Sequence, residues 1–366
     1  MITALTTPPV DWEEACRQAV DAGLRVHTAN PLNAETPRLT MLGADITPTD
    51  HFYVRNHFPI PAVDATDWRL TVGGHVRRRR TYSLEELLAR RPHTRVVTLE
   101  CAGNNRSALD RQQPDLQWGL GAAGTAAWTG VRLVDILDEA GLAADACEVV
   151  FRGADYGHVD GRTETTFFER SLALADIADS AALLAYEMNG APLPRHHGYP
   201  LRLVVPGWYG MASVKWLTDI EVIDHSFEGH FQTDRYRYEW LHDGQILSEP
   251  VRHQRVRAVI TQPVAGQQLQ CGEVTIRGLA WSGAAPIAHV WVSVDERPWQ
   301  QARLAGAPVR GSWRQWELGI ELDDPGAVTV RACAVDHAGC RQPRKPRWNR
   351  LGYGANAMQE VTIHIV

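Results

Sequence analysis

The chain has no Cys-x-x-Cys pair: its six cysteines, Cys16, Cys101, Cys147, Cys271, Cys333 and Cys340, lie far apart in 366 residues. This excludes the spacing of zinc knuckles and dithiol redox motifs, and the density is far below that of a disulfide scaffold, so a reducing compartment is expected. No apolar run approaches the ~20 residues a membrane helix needs. The opening MITALTTPPVDWEEA lacks a basic stretch followed by an apolar one, as a secretory leader would have; the cytoplasm is the expected location. Positive charge is in short supply, with 37 Lys and Arg against 43 Asp and Glu, which argues against a general nucleic-acid binder. The run Arg77–Arg80 follows Val72-Gly73-Gly74 and reads as a solvated hairpin edge. There is no repeat, no low-complexity stretch, no long linker, and no Walker or dinucleotide fingerprint.

The length is enough for about two domains with substantial cores. The most informative stretch is Thr94–Arg106, TRVVTLECAGNNR. Thr94–Leu99 is β-branched and apolar, the signature of a buried strand, and it breaks at Glu100-Cys101-Ala102-Gly103-Asn104-Asn105, which favours a tight loop. A strand therefore delivers one thiol to a loop, with Arg106 five residues on. Such a thiolate can bind a soft metal or attack a substrate, whereas free cysteine more commonly packs as a small hydrophobe.

Asp11 to about Gly23 has helical spacing. His51–Pro61, HFYVRNHFPIP, is read as an extended aromatic strand carrying Arg55, Asn56 and His57, polar groups that are costly to bury without partners. Trp68–Val72 and Val76 suggest a hairpin around Gly73-Gly74, and Ser83-Leu84-Glu85-Glu86 opens a helix with a capping box. Trp118–Trp128, with Gly119, Gly121 and Gly124, reads as a loop; Val131–Ala140 reads as a helix stopped by Gly141. Glu148–Arg152 is a strand that runs into a turn containing Asp155. The stretch from Ser171 to Asp179 leans towards a helix. Pro194–Leu217 places His196, His197, Arg202, Ser213 and Lys215 around a strand, Leu201–Val205, and a loop with Gly207 and Gly210, a setting in which backbone N–H groups and cationic heads can converge on an anion.

From Val251 the pattern changes. Val256–Ile260, Glu273–Leu279, Ala288–Val294, Trp313–Leu318, Val328–Ala334 and Val361–Val366 are short strands separated by turns, the spacing of a β-sandwich. The expected division is 1–250 and 251–366.

In this order YVRNHFPIP, VVTLECAGNNR, WTGVRLVDIL, LAYEMNGAPLPRHHGYPLRLVVPGWYG, SVKWL and WNRLGYGANA resemble the sulfite oxidase family of molybdenum enzymes, and the resemblance covers nearly the whole chain. It implies an α+β first domain of mixed sheets holding molybdopterin, followed by an immunoglobulin-like β-sandwich through which two copies form a homodimer. It implies that Cys101 ligates molybdenum, and that Tyr53, Val54, Arg55, Asn56, His57, Asp155, His197, Arg202, Ser213, Val214 and Lys215 bind the cofactor. Arg55, Arg106, Trp118 and Tyr236 fall at the positions of the family's anion pocket. The implied reaction is oxidation of sulfite to sulfate by oxygen-atom transfer, with electrons passed to a separate acceptor such as a cytochrome or oxygen, since both expected domains are used and neither is a haem domain.

Two departures bear on the substrate. The chain reads Trp348-Asn349-Arg350-Leu351-Gly352 where sulfite-specialised members have WNLRG, and a one-residue shift turns a side chain to the opposite face, so Arg350 is expected to miss the pocket. The loop also reads Asn104-Asn105-Arg106 where animal enzymes have a second arginine, which removes one positive charge nearby. A related molybdopterin enzyme acting on another oxyanion or a sulfoxide is the nearest rival. A cofactor-free hydrolase with Cys101 as nucleophile and His57 or His197 as base and an interaction protein built on the sandwich are the more distant ones.

Overall fold

The computed structural model describes residues 12–43, 45–109, 115–295 and 297–366. Strands dominate, and the helices are short. The first is Trp12–Asp21, ending before Gly23 at φ +79°; Asp11, the expected start, lies outside the described residues, as does the opening segment. The Ser83 capping box forms as read: Glu86 N–H donates to Ser83 Oγ at 3.1 Å and Ser83 N–H to Glu86 Oε2 at 2.7 Å, opening the helix Leu84–Leu88.

Two five-stranded sheets build the first part. One is antiparallel and runs Ala191–Pro192, Leu183–Met188, Ala123–Arg132, His93–Glu100, with Arg202–Val204 also on Leu183–Met188. The expected Thr94–Leu99 strand is therefore His93–Glu100, in continuous register from His93 opposite Gly130 to Glu100 opposite Ala123. Its partner corrects the loop read over Trp118–Trp128 and takes the first two residues of the helix read from Val131; that helix is Leu133–Ala140. Ala123–Arg132 is a central strand in which glycine serves packing: a Cβ on Gly124 would lie 2.6 Å from the Phe52 ring. A buried strand of small residues lacks the apolar alternation by which strands are recognised.

The second sheet is mixed: Arg80–Tyr82, Leu70–Gly74, Leu217–Ile223, Glu148–Gly157 and Thr166–Ala173, with only the Leu70–Gly74/Leu217–Ile223 pair parallel. Glu148–Gly157 runs past the expected turn. Its register against Thr166–Ala173 shifts between Arg152 and Tyr156, and such a bulge re-aims a side chain: Asp155 is a buried strand residue. Ser171–Ala173 likewise end a strand, and the helix is Leu174–Ser180. His51–Pro61 is irregular, its strand-like pairing limited to the bridge Ala34–Val54, because its two prolines and inward-turned polar side chains leave no ladder to extend.

Beyond residue 256 two sheets face each other. One has the order Arg257–Gln262, Gly272–Trp281, Arg314–Leu322, Arg303–Leu304; the other Gln268–Leu269, Glu360–Ile365, Gly326–Asp336, Ile287–Val294, Gln300–Gln301. Each expected sandwich strand is present, and side chains of both sheets, among them Ile276, Val292, Trp316, Val330 and Ile363, form one core. The sandwich is joined to the His93–Glu100 strand: Thr98 N–H donates to the Gly311 carbonyl at 2.8 Å, and Thr98 Oγ1 accepts Trp313 N–H at 2.9 Å.

Candidate active site

The end of the His93–Glu100 strand, the extended segment at residues 52–57, the bulge at Asp155 and the stretch from His197 to Trp216 meet around a cleft whose empty space, part of it open to solvent, is about 660 Å³. Cys101 is its thiol. Cys101 N–H donates to the Ala122 carbonyl at 2.9 Å, and its own carbonyl accepts Asn104 N–H at 2.9 Å, so the turn is closed on both sides. Burial pushes the Cys101 thiol up, opposed by Arg55, Arg106 and the Gly103 N–H. A soft metal would replace the proton, because a thiolate rather than a thiol is the ligand.

Of the residues expected to bind cofactor, Tyr53, Arg55, Asn56, His57, Asp155, His197, Arg202, Ser213 and Lys215 all line the cleft. Val54 and Val214 do not. Val54 is used by its bridge to Ala34, and the Val214 carbonyl accepts Leu203 N–H at 2.8 Å; both side chains pack in cores. Lys215 Nζ donates to the His196 carbonyl at 2.9 Å and to Asn56 Oδ1. Burial, with Arg202 adding to it, drives the Lys215 pKa well down despite Asp155. Burial lifts the Asp155 carboxyl to about 7 against the pull of Lys215, and lowers Arg202 to about 10. His197 is held well below the usual range by burial and by His196, Lys215 and Arg202. Each charge here is strained by desolvation.

On the other side, His57 Nε2 and the Tyr236 hydroxyl are 2.6 Å apart, and Arg55 Nη2 lies 3.1 Å from His57 Nδ1. Burial, then Arg55 and Arg235, lowers the His57 pKa well below its ordinary value. Tyr236 holds φ +55°, a region rare for a bulky residue, and its ring stacks on Tyr353 at 5.2 Å between centroids. Neither histidine is hydrogen-bonded to the Cys101 thiol among the described residues, so the nucleophile–base pair of a cysteine hydrolase is not assembled.

The expected anion-pocket residues divide. Arg55 and Tyr236 line the cleft; Arg106 and Trp118 do not. Arg106 Nε donates to the Leu351 carbonyl at 3.0 Å and Nη1 to the Leu116 carbonyl at 2.7 Å, while Nη2 lies 3.7 Å from Asp115. Trp118 is fully buried behind the cysteine loop, edge-on to His27 at 4.7 Å. Arg350 points outward and pairs with Glu239, as the shifted WNRLG register leads one to expect. Sequence reasoning missed Phe168, Met211 and Trp216 among the lining residues. Trp216 follows the recognised SVK stretch directly; Phe168 carries no local sign, since a phenylalanine in a strand reads as core.

Residues 57–231 match the family model of the oxidoreductase molybdopterin binding domain, and 249–366 that of the Mo-co oxidoreductase dimerisation domain. The chain is 37% identical to chicken sulfite oxidase over 90% of this chain and 75% of that protein. It is 36% identical to mouse mitochondrial sulfite oxidase over 94% of this chain, and spans 66% of that relative's length. The crystal structure of the sulfane dehydrogenase SoxCD from Paracoccus pantotrophus is similar over 99% of this chain and 92% of that one, with a TM-score of 0.81 at 26% identity. Cleft and fold together define a molybdopterin-binding protein with a second, β-sandwich part. The chain belongs to the sulfite oxidase family, whose cofactor is molybdenum held by molybdopterin.

An observation independent of that likeness tests the fit. Asp155 Oδ1, His197 Nε2 and Arg202 Nε are buried without a hydrogen-bond partner among the described residues, and all three residues line the Cys101 cleft. Buried polar atoms are rarely orphaned. Three on one cleft, of mixed donor and acceptor character, suit a heterocycle with a phosphate tail.

Proposed function

We propose that this chain oxidises a small sulfur oxyanion, sulfite first among them, at a molybdopterin centre ligated by Cys101. When bound, the metal supplies two-electron oxygen-atom transfer; the protein supplies position and field. Cys101 anchors the metal. Asp155 and His197 meet the polar edge of the pterin, and Arg202, Lys215 and the Ser213 segment hold its anionic tail with charge-assisted bonds. Arg55, steadied against His57 and Tyr236, faces the incoming anion and draws it towards the metal. Arg106 acts at one remove, its field felt at Cys101 while its N–H groups are taken by carbonyls.

The observation that supports this reading most is the set of three orphaned polar atoms on the cleft that also holds the thiol. The deciding experiment is metal analysis with oxidised-pterin fluorescence on freshly purified protein, followed by sulfite oxidation with ferricyanide. A protein with neither molybdenum nor pterin fluorescence rejects the reading.

A second substrate reading rests on Arg350. Its outward pairing with Glu239 and the single arginine of the Asn104-Asn105-Arg106 loop leave the substrate side with fewer free cations, which favours a less charged sulfur substrate, such as the sulfane sulfur named for the SoxCD enzyme, or a sulfoxide. Side-by-side rates with sulfite, thiosulfate, nitrate and a sulfoxide separate these. Electrons then pass to an external acceptor, a cytochrome or oxygen. The strand order of the sandwich, equivalent to A-B-E-D against G-F-C, supports an immunoglobulin-like reading, and the matched dimerisation model supports a homodimer through 251–366. No helix among the described residues is long and apolar enough to cross a membrane; the six free thiols suit the reducing cytoplasm.

A further inference from the structure

Glu100 is the last residue of the strand that carries Cys101, and its carboxylate is completely buried. Oε1 lies 3.0 Å from Arg257 Nε and accepts Asn104 Nδ2 at 3.0 Å; Oε2 accepts Trp281 Nε1 at 2.9 Å. Asn104 belongs to the cysteine turn, where its Oδ1 takes Ala122 N–H at 3.1 Å. Arg257 and Trp281 belong to the sandwich. Arg257, itself buried, donates through Nη2 to the Ala355 carbonyl at 2.9 Å, the same oxygen that Asn105 Nδ2 approaches at 3.3 Å. The Nε–H of Arg257 is not aimed along its contact with Glu100, and Nη1 has no hydrogen-bond partner among the described residues. Arg257 therefore meets the carboxylate as a charge more than as a fitted fork.

A buried ion pair is an expensive way to stabilise a fold, since apolar residues of like volume commonly do as well. This pair stands one residue from the sulfur and spans two parts of the chain. Removing Arg257 alone would strand an anion beside a site that must hold a second anionic group, the cysteine thiolate.

We infer that Arg257 of the sandwich is a positioning residue for the Cys101 loop and balances the charge of Glu100 beside the sulfur, so that the metal site is complete only with both parts of the chain. This rests on the molybdenum reading above. Groups one step removed from a ligand orient it and tune its metal, with effects of about 10–100-fold on metal affinity when lost.

The test uses the full chain expressed with its cofactor, reading molybdenum per chain and the Mo(V) electron paramagnetic resonance signal. Arg257→Met should lower molybdenum content by about tenfold and shift the g values of what remains; Glu100→Gln/Arg257→Met, which removes both charges, should restore content to within about twofold of wild type. Arg257→Met with wild-type content and signal overturns the inference, as does a double variant no better than the single. If Arg257→Met is insoluble, the double variant decides. Recovery of soluble, metal-replete protein upholds the pairing, and continued insolubility assigns Arg257 to folding alone and overturns it. Wild-type protein without molybdenum sinks the underlying reading instead, so the two failures are distinguishable.

Discussion

The inner wall of the cleft and its outer rim treat charge in opposite ways. Along the wall, Asp155, His197 and Arg202 keep polar atoms without partners, and burial shifts each away from its charged form. Outside that lining, three arginines are matched by carboxylates. Arg106 and Arg235 share Asp115, at 3.7 and 3.1 Å, and Arg350 has Glu239. Unsatisfied buried groups wait for a permanent ligand, because leaving them so costs free energy that only a bound partner returns. Satisfied ones set how strongly a passing anion is attracted, because it must compete with an internal carboxylate.

The comparison breaks most completely at the thiol. Cys101→Ser should leave the far-ultraviolet circular dichroism unchanged and reduce molybdenum content and turnover to background, as a hydroxyl is a poor ligand for a soft metal; normal turnover would remove Cys101 from the metal. Next is the wall without its ligand. The Asp155 carboxyl, raised to about 7 in the fold, binds a proton that the unfolded chain releases near 4. Its contribution is fully present below the unfolded pKa and is lost as pH rises through about 7, a change on the order of 2–4 kcal/mol. Thermal melts of cofactor-free protein should show Asp155→Asn gaining on wild type between pH 4.5 and 7.5; parallel curves would contradict the burial argument.

The rim gives smaller effects. Burial raises the Asp115 carboxyl, but Arg106 and Arg55 outweigh it and hold the group below its ordinary value, so it is anionic at neutral pH. Asp115→Asn should lower the KM for an anionic substrate by roughly 3–10-fold at low salt, with the gain shrinking as ionic strength rises; an unchanged KM would separate the rim from substrate capture. Smallest of all is Arg350→Ala. With its side chain 56% exposed, it should change KM by less than about twofold, and a larger loss would return Arg350 to the pocket.

Much of this site was legible in the chain because its contributors sit in continuous stretches. YVRNH, ECAGNNR and SVK each bring backbone and side chain together to one wall, so local order carried over into space. The misreadings share a cause. Ala123–Trp128 reads as a loop because small residues that let Phe52 approach look like flexible ones. Asp155 reads as a turn residue because a bulge within a strand has the composition of a turn. Position in the motifs points Trp118 and Arg106 to the pocket, whereas packing turns them behind the loop, where carbonyls and His27 take them.

By itself the sequence determined the strand that ends in a thiol, the sandwich that follows it and the family to which both belong, since hydrophobic periodicity and long motifs are local properties. Only the tertiary structure decided which polar atoms remain without partners, which arginines are neutralised and that Arg257 reaches Glu100. Those outcomes depend on residues from separate stretches, such as Glu100 and Arg257, arriving at one place, and no local pattern records such an arrival.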